Sequence, residues 1–369
     1  MIKQLALLSL ALLYCCIATS ASADTTTIAQ GFGLKVHTGV LLDHHKEMEI
    51  LRRNPASAIE VSYILKGNGE KLWHKFYGYP RYGVSYFFMD MGNREILGYS
   101  HAIYPFINLP IYSPGKNLNL GFMVGSGLGY AGKTYHRTQN FKNTAISSHL
   151  NAIINLSATL SYCISNHVTL NANLSLIHLS NGSIKKPNYG LNYTLLSLGI
   201  QYGNFNAKPK NHEEKKVCSE KHRILLAISG STKQAVAFND PNFCVASGSI
   251  EYSHKVWSPL FRVGGSLDFM YDNSHSLILH NHSIAYGSDW ELAKLGMAVN
   301  AELILNRLSL ILHFGGYYHN LSRKIKNQWV YQRVGLRYRF TNGLWAHVAL
   351  KTHLNIADYI EFGLAFKLF

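Results

Sequence analysis

The sequence predicts an all-β fold: an antiparallel β-barrel that crosses a membrane with strands. Three observations carry this reading. Segments of about ten residues with alternating apolar and polar side chains recur along the chain, separated by turn residues. Apolar residues make up 47% of the chain and charged residues only 15%, with 23 Tyr, 17 Phe and 5 Trp. A soluble domain usually carries about 25% charged residues. Beyond the N-terminus, no apolar run approaches the roughly 20 residues that a spanning helix needs.

Residues 1–23 read as an export signal. Lys3 supplies the charged end, Leu5 to Leu13 the apolar run, and Ala21-Ser22-Ala23 a small-residue cleavage site before Asp24. Tyr14 before Cys15 is too large for lipoprotein processing. An exported chain with this composition is expected as an integral barrel of the cell outer membrane. Cys163, Cys218 and Cys244 then remain, too few for a disulfide framework. A Cys218–Cys244 bridge is compatible with an oxidising compartment but not implied.

The first repeat covers 24–203. Alternation marks strands near 31–42, 56–66, 80–89, 97–109, 117–131, 148–163, 167–180 and 192–203. The connections carry Gly, Pro, Asn and charge, as in Lys66-Gly67-Asn68-Gly69 and Ser113-Pro114-Gly115. A charged linker, 204–222, follows. It holds part of the formal +15 charge, and the rest is scattered. That distribution does not point to nucleic acid. Basic outer loops suit the anionic phosphates of lipopolysaccharide.

The second repeat, 223–369, alternates near 223–232, 242–256, 260–271, 277–287, 293–305, 308–318, 330–340, 344–353 and 358–369. That is nine segments, some of which can be pieces of one strand. The repeats resemble each other: Tyr162 to Asn166 and a strand ending at His178-Leu179 parallel Tyr338 to Asn342 and a strand ending at His353-Leu354. The architecture is therefore about sixteen strands in two eight-strand repeats. One large ring is the commoner design and is preferred to two small barrels, although a long charged linker argues the other way, because periplasmic turns are short.

The strand Val168 to Ser180 carries the chemistry. Val168, Leu170, Ala172, Leu174 and Leu176 share one face, and two further steps on that face bring His178 and Ser180. A base and a hydroxyl at the end of a greasy stripe suit a lipid substrate. A serine hydroxyl is a poor nucleophile without an adjacent base. A bend near Leu179 is expected, to bring the two side chains within hydrogen-bond reach.

The run His178-Leu179-Ser180-Asn181-Gly182, followed by Lys186-Pro187-Asn188-Tyr189-Gly190 and the strand Asn192 to Tyr202, resembles the signature of PagL-type lipid A 3-O-deacylases. The motif covers about 25 residues, and the barrel pattern extends the likeness over roughly 30–203. Residues 223–369 have no counterpart in the short members. The resemblance implies an eight-stranded outer-membrane barrel, Ser180 as nucleophile, His178 as general base, and no cofactor. The family's third member is a Glu twelve residues after the Ser; here Asn192 stands at that place. An amide oxygen can still orient the imidazole, as Asn does in papain-like enzymes. Asn181 and the amides around Gly182 are candidate oxyanion donors, with Asn188 as polar support. Lys185 and Lys186 are candidate contacts for lipid A phosphates. In the second repeat, Leu354 and Ile356 occupy the places of His178 and Ser180, so that repeat carries no pair.

Other patterns are weaker. Gly127, Gly129 and Gly132 fit a dinucleotide template but lie in a strand with no following helix. Asp43-His44-His45 with Glu47 has metal-like residue types in an outer loop, and His280 with His282 reads as polarity on a strand face; no metal is expected. The expected function is an outer-membrane serine esterase that removes the 3-linked acyl chain of lipid A. The alternative is a non-catalytic barrel, pore or lipid-binding scaffold, with a degenerate triad. An adhesin needs larger outer loops. A homodimer is compatible with the sequence.

Overall fold

The computed structural model describes residues 29–115, 117–205, 220–235, 241–321, 328–354 and 356–369. The segment read as an export signal, Cys218 and most of the charged segment 204–222 lie outside these residues. Among the described residues, sixteen antiparallel strands form two closed barrels of eight.

The first ring comprises β1 (Gln30–Leu42), β2 (Ala56–Lys66), β3 (Arg81–Asp90), β4 (Tyr99–Tyr112), β5 (Leu118–Ala131), β6 (Leu150–Cys163), β7 (Val168–Ser180) and β8 (Leu191–Gly203). A short helix, α1 (Leu72–Phe76), joins β2 to β3. The ring closes where β8 pairs with β1, from Gly31 opposite Gly203 to Leu42 opposite Asn192. The second ring comprises β9 (His222–Gln234), β10 (Asn242–Lys255), β11 (Phe261–Asp272), β12 (Ala293–Leu305), β13 (Leu308–His319), β14 (Val330–Arg339), β15 (Leu344–His353) and β16 (Ile356–Lys367). It closes where β16 pairs with β9, from Phe362 opposite Gly230 to Lys367 opposite Leu225.

Two expectations are corrected here. The preferred single ring of sixteen strands gives way to two barrels. Once β1 accepts β8, neither edge is left for β9, and eight strands already enclose a lumen that side chains can fill. The fourth of the nine segments of the second repeat, 277–287, is not a strand. It begins with α2 (Ser274–Asn281), whose start is held by Asp272: its carboxylate accepts from the Ser274 backbone N–H at 3.0 Å and hydroxyl at 2.6 Å. His280 therefore sits on a helix and His282 at its C-cap, not on a shared strand face.

Alternation sorts the side chains of each strand. Thr169, Asn171, Asn173 and Ser175 of β7 are buried in the lumen, whereas Leu170, Leu174 and Leu176 are exposed outward. Leu34, Val36, Ile59, Val61, Leu196, Leu198 and Ile200 continue that apolar outer band, the surface a barrel offers to lipid tails. The first lumen has two zones. Toward the β1 start it is polar: buried Glu60 accepts from Lys35 Nζ at 3.0 Å and Ser85 Oγ at 2.8 Å. Toward the β7 end it is an apolar plug that includes Leu41, Phe87, Met89, Tyr104, Ile177 and Leu179. The second lumen is packed with ion pairs. Arg337 grips Glu251 through both terminal nitrogens, at 2.9 and 3.0 Å, and Lys233 and Lys351 share Asp358 at 2.6 and 2.7 Å.

Candidate active site

The site lies where β7 ends and β8 begins, in the first of two compact units. Below it, Leu179 points into the apolar plug. A Cβ on Gly129 would stand 2.4 Å from Leu179 Cδ1, so the glycine of the apparent dinucleotide motif makes room for the residue between His178 and Ser180. That packing turns His178 and Ser180 to the outer face.

His178 Nε2 lies 2.8 Å from Ser180 Oγ. The expected bend is not needed: β6 and β7 run in continuous register through Ile154–His178, Ile153–Leu179 and Ala152–Ser180. The imidazole spans the offset between i and i+2 along the strand by its own length. Asn192 faces His178 directly across the β7–β8 pair, and its Oδ1 lies 2.6 Å from His178 Nδ1. Ser180 is buried, and His178 and Asn192 are half-buried.

The chain after the turn is strapped over this pair. Tyr189 and Gly190 donate their backbone N–H groups to the carbonyls of Thr144 and Ala145. Gly190 has φ +78°, and a Cβ there would stand 2.9 Å from His178 Cε1 and 3.3 Å from Ser180 Cβ. The β1–β2 loop completes the strap. His44 Nε2 lies 3.0 Å from the Tyr189 carbonyl, His44 Nδ1 lies 3.2 Å from Asn192 Nδ2, and the His45 ring stacks on Tyr189 at 4.3 Å. Burial, and then the neighbouring His44, hold the His45 imidazole pKa below its ordinary value. In the sequence, His44 stands out only as a metal-like residue type. Among the described residues, no three His, Cys, Asp or Glu side chains are grouped to hold a metal ion.

The other motif residues fall into different places. Asn181 is buried, and its amide nitrogen donates to Ser147 Oγ at 3.2 Å and Ser148 Oγ at 2.8 Å. Both of its N–H bonds thus hold the β5–β6 connection. Gly182 and Ser183 turn the chain with φ of +61° and +65°. Residues Gly182–Asn188 group with the second unit. There Lys186 Nζ donates to the Ala235 carbonyl at 2.7 Å, while Lys185 is exposed and Asn188 half-buried. In the second barrel His347, Lys351 and His353 are buried, and Leu354 and Ile356 are exposed, so the lipid-facing places of the pair are apolar there.

Comparison with known proteins bears on both barrels. Residues 57–201 match the family model described as lipid A 3-O-deacylase (PagL), and residues 222–369 match the acyloxyacyl hydrolase C-terminal domain. The chain belongs to the PagL-type family of lipid A deacylases, hydrolases built as outer-membrane β-barrels. The second barrel thus matches a domain model of its own. No curated protein matches. Among solved structures, a mutant of Rh. blastica porin is 9% identical, with 93% of this chain and 100% of that chain covered and a TM-score of 0.19. The outer-membrane protein Omp33 of Acinetobacter baumannii is 8% identical, covering 93% and 99%, with a TM-score of 0.18. Likenesses this low carry no argument.

Proposed function

We propose that the protein is a serine esterase that removes the ester-linked acyl chain at the 3-position of lipid A. The observation that carries this is the unbroken contact from Asn192 through His178 to Ser180, on the outer face of a barrel from this family. Ser180 Oγ attacks the ester carbonyl as His178 Nε2 takes the hydroxyl proton. The tetrahedral intermediate collapses, the sugar oxygen leaves with that proton, and the acyl chain stays on Ser180. Water, deprotonated by His178, then attacks the acyl-serine. The fatty acid departs, and the proton returns to Ser180. Asn192 Oδ1 holds the Nδ1–H, so that Nε2 is free to act as base. For the oxyanion the motif offers Asn181 and backbone amides near Gly182, and the Asn181 side-chain amide already donates to Ser147 and Ser148.

The substrate needs no pocket in the lumen. With the N-terminus periplasmic, odd strands run outward and β7 brings Ser180 to the outer rim, where lipid A arrives sideways in the leaflet. Lys185 and Lys186 of the same loop are the candidate contacts for its phosphates; Lys185 is exposed, and Lys186 donates to the Ala235 carbonyl.

The test is the mass of lipid A from a host expressing the protein. Loss of one hydroxyacyl chain with the wild type, absent with Ser180→Ala, supports the reading. An unchanged lipid A mass with both proteins, each folded in the outer membrane, overturns it.

A further inference from the structure

We infer that His44 is a positioning residue for this reaction: it locks the Asn192 amide in the one orientation that leaves His178 able to act as a base. The inference rests on the serine-esterase reading above.

A carboxylate at the Asn192 place would present acceptors on both sides, and either oxygen could receive the His178 Nδ1–H. An amide has two unlike ends. With Oδ1 toward His178, Nδ1 carries the proton and Nε2 is bare beside the serine hydroxyl. With Nδ2 toward His178, the amide donates to a bare Nδ1, the proton moves to Nε2, and the ring has no lone pair for Ser180. One rotation of the amide therefore switches the base on or off. In a serine triad, an amide that stabilised the wrong tautomer cost about 10⁴ in rate.

The structure supplies the device that selects the active orientation. The Tyr189 carbonyl can only accept, so its 3.0 Å contact requires the proton of His44 on Nε2. His44 Nδ1 is then bare and accepts from Asn192 Nδ2 at 3.2 Å. Asn192 Oδ1 consequently faces His178 Nδ1 at 2.6 Å, and His178 Nε2 faces Ser180 Oγ at 2.8 Å. Each link fixes the next, from a backbone carbonyl to the nucleophile. The opposite His44 tautomer would use the 3.4 Å contact from Nδ1 to the Leu42 carbonyl. It would set a bare Nε2 against the Tyr189 oxygen and lose the two shorter bonds. Tyr189 itself is held by its N–H on Thr144 and its ring on His45, so the carbonyl that starts the chain is fixed in place.

The experiment measures kcat and KM for deacylation of lipid A in mixed micelles, with Ser180→Ala as control. His44→Phe removes both polar ends of the ring. His44→Gln keeps an acceptor and a donor side by side, as the imidazole does. We expect His44→Phe to lower kcat by about tenfold, the scale of one lost hydrogen-bond preference, with KM little changed. His44→Gln should recover most of that loss. Placed on Asn192→Asp, whose two oxygens are equivalent, His44→Phe should change kcat by less than about twofold. Equal losses for His44→Phe and His44→Gln, or the same His44→Phe loss on both backgrounds, would overturn the inference and leave a merely structural role. Activity retained by Ser180→Ala would instead overturn the esterase reading on which it rests.

Discussion

At the scale of single residues, the site depends on which side chain presents which atom. Gly190 shows how little room there is. Gly190→Ala would push a methyl to 2.9 Å from His178 Cε1 and hold an L-residue at φ +78°. The backbone alone should cost about 1–2 kcal/mol, read as a lower melting temperature, and the displaced imidazole should lower kcat further. Asn192→Asp keeps the side-chain length and replaces an amide that orients the imidazole with a carboxylate that also stabilises its cation. It should raise kcat by about tenfold or more, read in the same micelle assay; a fall would assign the orienting work to another group. The pair His178 and Ser180 was legible in the sequence because period-two alternation sets both on one face. His44 was not. It lies 148 positions from Asn192, and only the packing of the β1–β2 loop on Tyr189 brings them together.

At the scale of elements, the end of β7 is held from beneath. Leu179 fills the plug over Gly129 between the two reacting side chains. Leu179→Ala should destabilise the first barrel by about 2–5 kcal/mol. It should also lower kcat, because the strand end that sets the His–Ser distance loses its anchor; denaturant unfolding and kinetics on the same sample check both. Strand positions were readable nearly to the residue: β2 and β15 occupy the spans that alternation marked. The segment 277–287 was misread for a physical reason. A short apolar run such as Leu277-Ile278-Leu279 has no period of its own, and the hydrogen bonds from Ser274 to Asp272 decide for a helix.

At the scale of the whole molecule, the question was which strands meet. Alternation is the same whether a strand's neighbour is β1 or β9, so ring closure was not legible, and the preference for one large ring failed on it. Closure at β8–β1 predicts that a chain ending after Phe205 folds as a barrel, with heat-dependent electrophoretic mobility and β-rich circular dichroism. A sixteen-strand ring would leave that shortened chain with open edges and aggregated.

The central claim is that Ser180 is a nucleophile activated by His178. The most direct measurement is labelling of the folded protein with a fluorophosphonate serine probe, followed by peptide mapping. The probe is expected on Ser180, with the label lost in His178→Ala. A label on another residue, or equal labelling of wild type and His178→Ala, would contradict the account.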